Sequence, residues 1–484
     1  MIQNIAVAAL ALIAAAAPLS AGAIGPDYRK PAVPLAPAYQ TRVPATAAAP
    51  APPLDAWWTG FDDPELVRVV IRAQAQNLDI AQAQGRLLQS RAAAKAAGAS
   101  LLPQVGANGA ASAVQQSLLS PIGVIGSHLP GFERSYDEYT LGAAASWEID
   151  LFGGLRRAQE AAKADAGAAA LEATAIRTSV AAEAADAYLQ VRGLQARLAV
   201  ARRQESVEVD LVDLLRRRAA EGVSADRELR EAEAEYEGVR ATLPPLTAAL
   251  DAQLNRLDVL MGAQPGTFRA ELEAPAALPS TPALSIADGP ADLLRRRPDV
   301  LAAEQRLIAA NAQIGAATAD YYPKVSISGL LGFDSVDGAR LFSGLAQEKQ
   351  LAAGLRWRLF DFGRVDAEVA QANGAKAEAL AAYRASILKA TEDVENALSD
   401  LTQQQARAAA LARQVDELTL ARNQAQAAYE GGAVSLIEVR DADRDLLTAS
   451  DQLVRARADA DRAAVAAYRA LGGGWRAEVR VAAR

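Results

Sequence analysis

Two periodicities alternate along the chain. Between residues 140 and 151 apolar side chains recur at every second position: Leu141, Ala143, Ala145, Trp147, Ile149 and Leu151 fall on one side. Thr140, Gly142, Ser146, Glu148 and Asp150 fall on the other. Residues 350–359 repeat the pattern, with Leu351, Ala353, Leu355, Trp357 and Leu359 opposed to Gln350, Gly354, Arg356 and Arg358. Each stretch predicts a strand with one apolar and one charged face, and each runs straight into a helical period. No proline interrupts the chain from Gly154 to Ala220 or from Arg364 to Glu430. Within the first run Val191, Leu194, Leu198, Val207, Leu211 and Leu214 keep coiled-coil spacing; within the second Leu380, Tyr383, Ile387, Val394, Leu398 and Leu401 do the same. As helix, each run would reach ~100 Å.

The reverse transition, helix into strand with no polar loop, also occurs twice, at "ASLLPQVGANG" and "DYYPKVSISG". The predicted strands are 102–115, 137–151, 322–334 and 349–362. The chain is one unit written twice. Trp357 lies 210 residues after Trp147, and the same offset relates Phe152 to Phe362, Gly153 to Gly363, Gly222 to Gly432, Glu228 to Glu438 and Arg230 to Arg440. Upstream the offset is 220: Asp79 and Asp299, Arg86 and Arg306, Pro103 and Pro323, Val105 and Val325, Gly109 and Gly329. The extra ten residues fall in the Gly/Ser/Pro-rich stretch around 116–135.

The pattern divides the chain into a signal peptide (1–23), an extended Pro/Ala-rich segment (24–60), a first repeat (61–270), a connector (271–287), a second repeat (288–472) and a tail (473–484). The apolar run at residues 5–17 has the length of a signal core and is too short to span a bilayer; no Lys or Arg precedes it, and Ala21-Gly22-Ala23 suits cleavage. Pro244-Pro245 breaks the return helix of the first repeat, while that of the second continues to about Leu471. Ser224 or Asp226 is expected to cap the first return helix and Ser435 the second.

Composition narrows the chemistry. Of 484 residues 51% are apolar but only 5% aromatic, which points to helices packed through small side chains. The balance of 50 Lys+Arg against 58 Asp+Glu argues against a nucleic-acid partner. With no cysteine, thiolate metal sites, disulfides and cysteine nucleophiles are excluded. The one histidine, His128, reads as a loop residue. No catalytic constellation, metal site or cofactor motif is expected, and the chain is not read as an enzyme.

Four strands cannot close a barrel, and an open sheet edge in lipid would leave backbone groups unpaired. Closure therefore needs several chains. Three would supply twelve strands, with Glu148, Asp150, Arg356 and Arg358 facing an aqueous lumen and Trp147, Trp357 and Leu355 facing lipid. A duplicated soluble coiled coil would explain the helices but not four alternating strands with tryptophans at matched positions.

"GPDYRKP" (25–31), "WWTGFDDPEL" (57–66), "LLRRRPDVLAAEQRL" (293–307) and "YYPKVSISG" (321–329) carry a resemblance. The chain resembles the TolC/OprM-type outer membrane factors, nearest the NodT-like branch of outer membrane efflux proteins, over nearly its whole length. The resemblance implies an α+β membrane protein: a homotrimer with a twelve-stranded β-barrel continuous with a long α-helical periplasmic barrel. It implies a periplasmic adaptor (membrane fusion protein) and an inner-membrane resistance-nodulation-division pump as partners. The implied role is an outer-membrane exit duct for small molecules; a channel of type I protein secretion shares the architecture and stays open. Gly22 stands where that branch commonly carries a lipid-modified cysteine, so no N-terminal lipidation is expected.

The resemblance also implies a gate at the glycine turn "YEGGAVSLIEVRDADR". Glu438 and Asp441 fall on the acidic positions that narrow the pore in relatives, Arg444 on a locking position and Tyr429 on a gate tyrosine. Rings of three Glu438 and three Asp441 would select cations. The same charges also read as a solvated helix face, as do Arg295-Arg296-Arg297 before Pro298.

Overall fold

The computed structural model describes residues 23–41, 52–221, 226–284 and 289–476. The expected signal peptide up to residue 22, Ser224 and the tail beyond Arg476 lie outside the described residues. In chain order the main elements are α1 (Pro64–Gln76), α2 (Leu78–Ala99), β1 (Gln104–Gln115), β2 (Ser135–Ile149), α3 (Gly154–Ala220), α4 (Asp226–Arg240), α5 (Leu243–Leu260), α6 (Pro298–Thr318), β3 (Lys324–Ser335), β4 (Gln347–Arg356), α7 (Arg364–Glu430) and α8 (Leu436–Ala470). Among the described residues no helix is long and apolar enough to cross a membrane. The elements form two compact units, one around the strands (to residue 31, 88–167 and 304–381), the other helical (32–87, 168–303 and from 382).

In the first unit the strands make one antiparallel sheet in the order β1-β2-β3-β4. Gln104 lies opposite Ser146 and Lys324 opposite Arg356, so the two hairpins have the same register once the 220- and 210-residue offsets are applied. The strands β2 and β3 join the hairpins from Tyr139 opposite Ser335 to Ile149 opposite Val325. Strand alternation places Val105, Leu141, Trp147, Ile327, Leu331 and Leu355 on one face. The other face carries Asn108, Glu148, Ser326, Ser328 and Arg356. Val105, Leu331, Leu351 and Leu355 are exposed, and so large an uncovered apolar face on a sheet marks a surface that something else covers. β1 and β4 are the edges.

One strand differs from the sequence expectation. β4 ends at Arg356 instead of running to 362, because its one neighbour in the chain, β3, begins opposite it at Lys324, directly after Pro323. Among the described residues the alternation beyond Arg356 has no backbone partner.

The strand–helix junctions repeat in detail. Trp147 Nε1 donates to the Leu101 carbonyl at 2.9 Å, and Trp357 Nε1 to the Tyr321 carbonyl at 2.9 Å. Gly153 (φ 80°) and Gly363 (φ 84°) then turn each strand into its helix through the left-handed region. Residues 23–27 lie across the first junction. The nearly buried Arg157 donates to the carbonyls of Ala23 and Ile24 and to Asp27 at 2.6 Å, while Asn311 holds the Pro26 carbonyl at 2.7 Å.

The helical unit has the larger core, and it overturns part of the expected extended segment. Residues 54–61 form a 3₁₀ helix that buries Trp57, Trp58 and Phe61. Trp57 stacks on Tyr468 with centroids 5.6 Å apart. Three large rings within five residues outweigh the Pro/Ala bias of the flanking chain, since each removes so much apolar surface from water. Next to them Tyr188 donates to Asp63 at 2.6 Å and accepts from Arg192 at 2.9 Å, while the other Asp63 oxygen caps α1. The expected break near Pro244-Pro245 is the turn between α4 and α5, whereas α8 is continuous. α8 packs through Ala456, Ala460, Ala463, Ala464 and Ala467, all buried, as the alanine content implies.

Arg297 is not a solvated charge at a helix start. Its guanidinium is mostly buried and donates to Asp299 at 2.6 Å, Asp393 of α7 at 3.0 Å and the Ala470 carbonyl that ends α8. Burial works against its charge, but the two carboxylates prevail and hold its pKa above the usual value. The RRPDV motif is thus a three-way clamp between the starts and ends of helices. Replacing Arg297 with Ala is expected to destabilise the protein by about 2 kcal/mol, because two carboxylates lose their shared counter-charge. Lys is expected to restore less than half, since it lacks the planar fork. Thermal unfolding of the two variants checks both.

Asp461 of α8 is buried against the connector, where the Thr281 hydroxyl donates to it and the Tyr468 hydroxyl holds the Ala283 carbonyl. Burial pushes its carboxyl up to about 7, against Thr281 and Arg457. Between an ordinary carboxylate value and pH 7 the folded chain keeps a proton that the unfolded chain has lost. Stability should therefore fall as pH rises through that window, by at most about 4 kcal/mol. Asp461→Asn is expected to raise Tm at pH 8 and to leave it nearly unchanged at pH 5; an equal effect at both would contradict this.

Candidate functional site

The turn between α7 and α8 is built by its glycines. Gly432 takes φ 73°, its N–H donates to the Tyr429 carbonyl at 2.9 Å, and the Ala433 N–H donates to the Ala428 carbonyl at 2.8 Å. This double closure ends a helix through a left-handed residue. The chain then re-enters helix at Ser435, whose backbone N–H donates to the Glu438 carboxylate at 3.4 Å. Glu438 is therefore the third residue of α8, where a carboxylate also meets the positive end of the helix. The first repeat supplies the floor: Leu211, Val212, Leu215 and Ala232 form a buried cluster against which Leu436, Leu229 and Tyr236 pack.

Charges are layered on this apolar base. Arg440 reaches back to the first repeat, 2.9 Å from Glu235 and 3.6 Å from Glu208. Glu208 is buried, which pushes its carboxyl up from the ordinary range against the pull of Arg440. Arg444 lies 3.1 Å from Asp441 and 3.9 Å from Glu235, and Arg422 of α7 binds Asp443 at 2.7 Å. Three cations and four carboxylates thus interlock across α3, α4, α7 and α8. Glu438 and Asp441 remain exposed, while Tyr429, in the last turn of α7, is half-buried.

Of the residues singled out in the sequence, the structure brings Asp441 and Arg444 into direct contact and sets Glu438 one helical turn earlier. Glu208, Glu235, Arg422 and Asp443 were not singled out. The 21-residue separation of Arg422 and Asp443 about the glycine turn is a signal that a hairpin reading can use; the Glu235–Arg440 contact has no local signal.

The strand residues separate into two groups. Glu148 and Arg356 share the polar face and lie 3.9 Å apart across β3. Asp150 and Arg358, expected in the same lumen-facing rows, lie beyond the strand ends. Asp150 accepts from the N–H groups of Leu155 and Arg156 and so caps α3. Arg358 pairs with Glu368 at 3.2 Å and Asp320 at 3.6 Å. For Asp150 the cap on α3 sets the carboxylate's direction, and for Arg358 the pairs with Glu368 and Asp320 do so. Trp147, Trp357 and Leu355 are exposed.

Comparison with known proteins fits this architecture. Residues 69–263 and 289–473 match the family described as outer membrane efflux protein. The pyoverdine export outer membrane protein OpmQ of Pseudomonas putida KT2440 is 32% identical over 451 residues, covering 93% of this chain and 94% of its own. The outer membrane protein OprJ of Pseudomonas aeruginosa is 31% identical over 467 residues, 94% of each chain. Among solved structures the outer-membrane channel OprN superposes with a TM-score of 0.81 at 34% identity, covering 93% of this chain and 99% of that one. The chain belongs to the outer membrane efflux protein family and has the α+β fold of TolC-like outer membrane channels.

Proposed function

We propose that the protein is the outer-membrane exit duct of a tripartite efflux system. Three copies close a twelve-stranded barrel with a water-filled lumen, and small molecules pass through it after delivery by an inner-membrane resistance-nodulation-division pump and a periplasmic adaptor. The observation that carries this reading is the four-stranded sheet with one exposed apolar face, one polar face and two edges without partners among the described residues. In lipid such edges must be paired by other chains, and a closed ring of strands is the arrangement that pairs them all. The apolar face with Trp147, Trp357 and Leu355 then meets lipid, and Glu148 and Arg356 line the lumen.

The gate is the α7–α8 turn. Three Glu438 and three Asp441 converge to narrow the pore and favour cations, Arg444 tempers Asp441 and braces it to Glu235, and Tyr429 backs the turn. Each exposed ion pair is worth at most about 1 kcal/mol, so the closed state rests on the apolar floor and the whole charge network.

Single-channel recording in a planar bilayer tests the gate. The wild type is expected to show a small, cation-selective conductance. The Glu438→Ala/Asp441→Ala variant is expected to conduct several-fold more with weaker cation selectivity. An unchanged conductance and selectivity would place the constriction elsewhere.

A further inference from the structure

The two faces of the sheet exchange character at the end of the strands far from the helices. Along most of its length the face of Val105, Leu141, Trp147, Leu331 and Leu355 is apolar. At the last cross-strand pairs of β1 and β2 that same face carries Ala113 opposite Asp137 and Gln115 opposite Ser135. The other face, which carries Glu148 and Arg356 at its near end, finishes on Val114 opposite Tyr136. These two are half-buried, whereas Ala113, Gln115, Ser135 and Asp137 are exposed. The connection from β1 to β2 therefore folds over the polar face, and the apolar band of the opposite face stops short of it.

That connection is the insertion that lengthens the first repeat. From Ser117 to Phe132 it holds no Asp, Glu, Lys or Arg. Leu119, Ile122, Ile125 and Leu129 are all exposed, Leu119 almost fully. Yet the segment is built, not loose. Ser120 caps a short helix, Pro121–Gly126, by accepting the Gly123 N–H at 3.1 Å, and Pro121 suits its first turn. Gly123 and Gly126 are buried on the inner side of that helix. A Cβ at Gly123 would collide with the Ser117 carbonyl, and one at Gly126 with the Phe132 ring. Ile122 and Ile125, three residues apart, are left facing outward. An aliphatic surface this exposed marks a place that something else covers. The matching connection of the second repeat, residues 336–346, is shorter and carries Asp337 and Arg340. It leans the other way: its Phe342 packs edge-on to Phe333 of the apolar face, with centroids 5.6 Å apart.

We propose that the 117–132 loops of three copies meet over the outer mouth of the duct and close it as an apolar lid, with Ile122 and Ile125 of one copy against those of the next. Hydrocarbon does not cover this patch, because the face turned to lipid has already become polar beneath it, at Gln115, Ser135 and Asp137. Other copies do, because each chain carries one such loop and its lean over the lumen face brings all three toward the common axis. The lid is a hydrophobic constriction that excludes water, and with it ions, until the loops part. It acts in series with the gate at the α7–α8 turn: one barrier works by dewetting, the other by charge. The inference rests on the trimeric duct proposed above and adds a second barrier to it.

The chain has no cysteine, so in a single-cysteine variant every disulfide joins two copies through the same residue. Leu119→Cys, Ile122→Cys and Ile125→Cys are oxidised in outer membranes, and linkage and particle size are read on non-reducing and native gels. Phe342→Cys, on the loop that leans the other way, is the control. At least one lid variant is expected to link about tenfold faster than the control, within three-chain particles. In planar bilayers, oxidising that variant in the Glu438→Ala/Asp441→Ala background is expected to lower the conductance about twofold or more, and reductant to restore it. Linking with no change in conductance would overturn the barrier. Three-chain particles with no linking at any of the three positions would overturn the contact between loops. Quenching of a bimane on Ile122→Cys by nitroxide-labelled lipid, without linking, would do the same and assign the patch to the membrane. Particles of one chain would overturn the trimeric reading on which the lid rests.

Discussion

The constraint on which the structure depends is the obligatory pairing of backbone N–H and C=O groups in a medium without water. A sheet of four strands leaves two rows of such groups open, and the cost of leaving them in hydrocarbon is several kcal/mol per group. Everything distinctive about the strand unit answers that cost. One face is apolar without a core to cover it, and the edges are long and not blunted by proline. The strands end where in-chain partners end. On the trimeric reading proposed above, such a chain is a third of a wall.

The junctions show how a wall changes material. Helices satisfy their backbone internally and strands satisfy it laterally, so the crossing point must switch partners within a few residues. Here the switch is pinned by an indole. Trp147 and Trp357 each donate to a carbonyl at the end of the incoming helical segment, and Asp150 and Asp361 accept the first N–H groups of the outgoing helix. Gly153 and Gly363 supply the backbone turn that L side chains disfavour. The helical unit is held differently, by stacked aromatics, alanine-face packing and the Arg297 clamp, which ties helix ends together through charge that is shielded from water.

Much of this was legible in the residues themselves. The strands were readable because period-two alternation assigns every side chain to a face, and the long helices because no proline interrupts them. The duplication was readable because two tryptophans and two glycines keep one offset. What was not legible shares a cause. Asp150 and Arg358 continue the alternation past the residues paired among the described strands, and only a partner strand decides where a strand stops. Trp57 and Trp58 sit beside Pro/Ala-rich chain, and Tyr468, on which Trp57 stacks, is over 400 residues away. Among the gate candidates, Asp441 and Arg444 are helix neighbours and so visible in sequence. Glu235 and Glu208 meet Arg440 only once the apolar floor of Leu211, Val212 and Leu215 has brought two hairpins together.

The central claim is that this chain completes its backbone pairing only as one of three. Native mass spectrometry of the protein extracted from outer membranes in mild detergent measures that directly. The account expects a single species of three polypeptides that survives dilution. A predominant one-chain species retaining its β-sheet signal, or a stable ring of two or four chains, would contradict it.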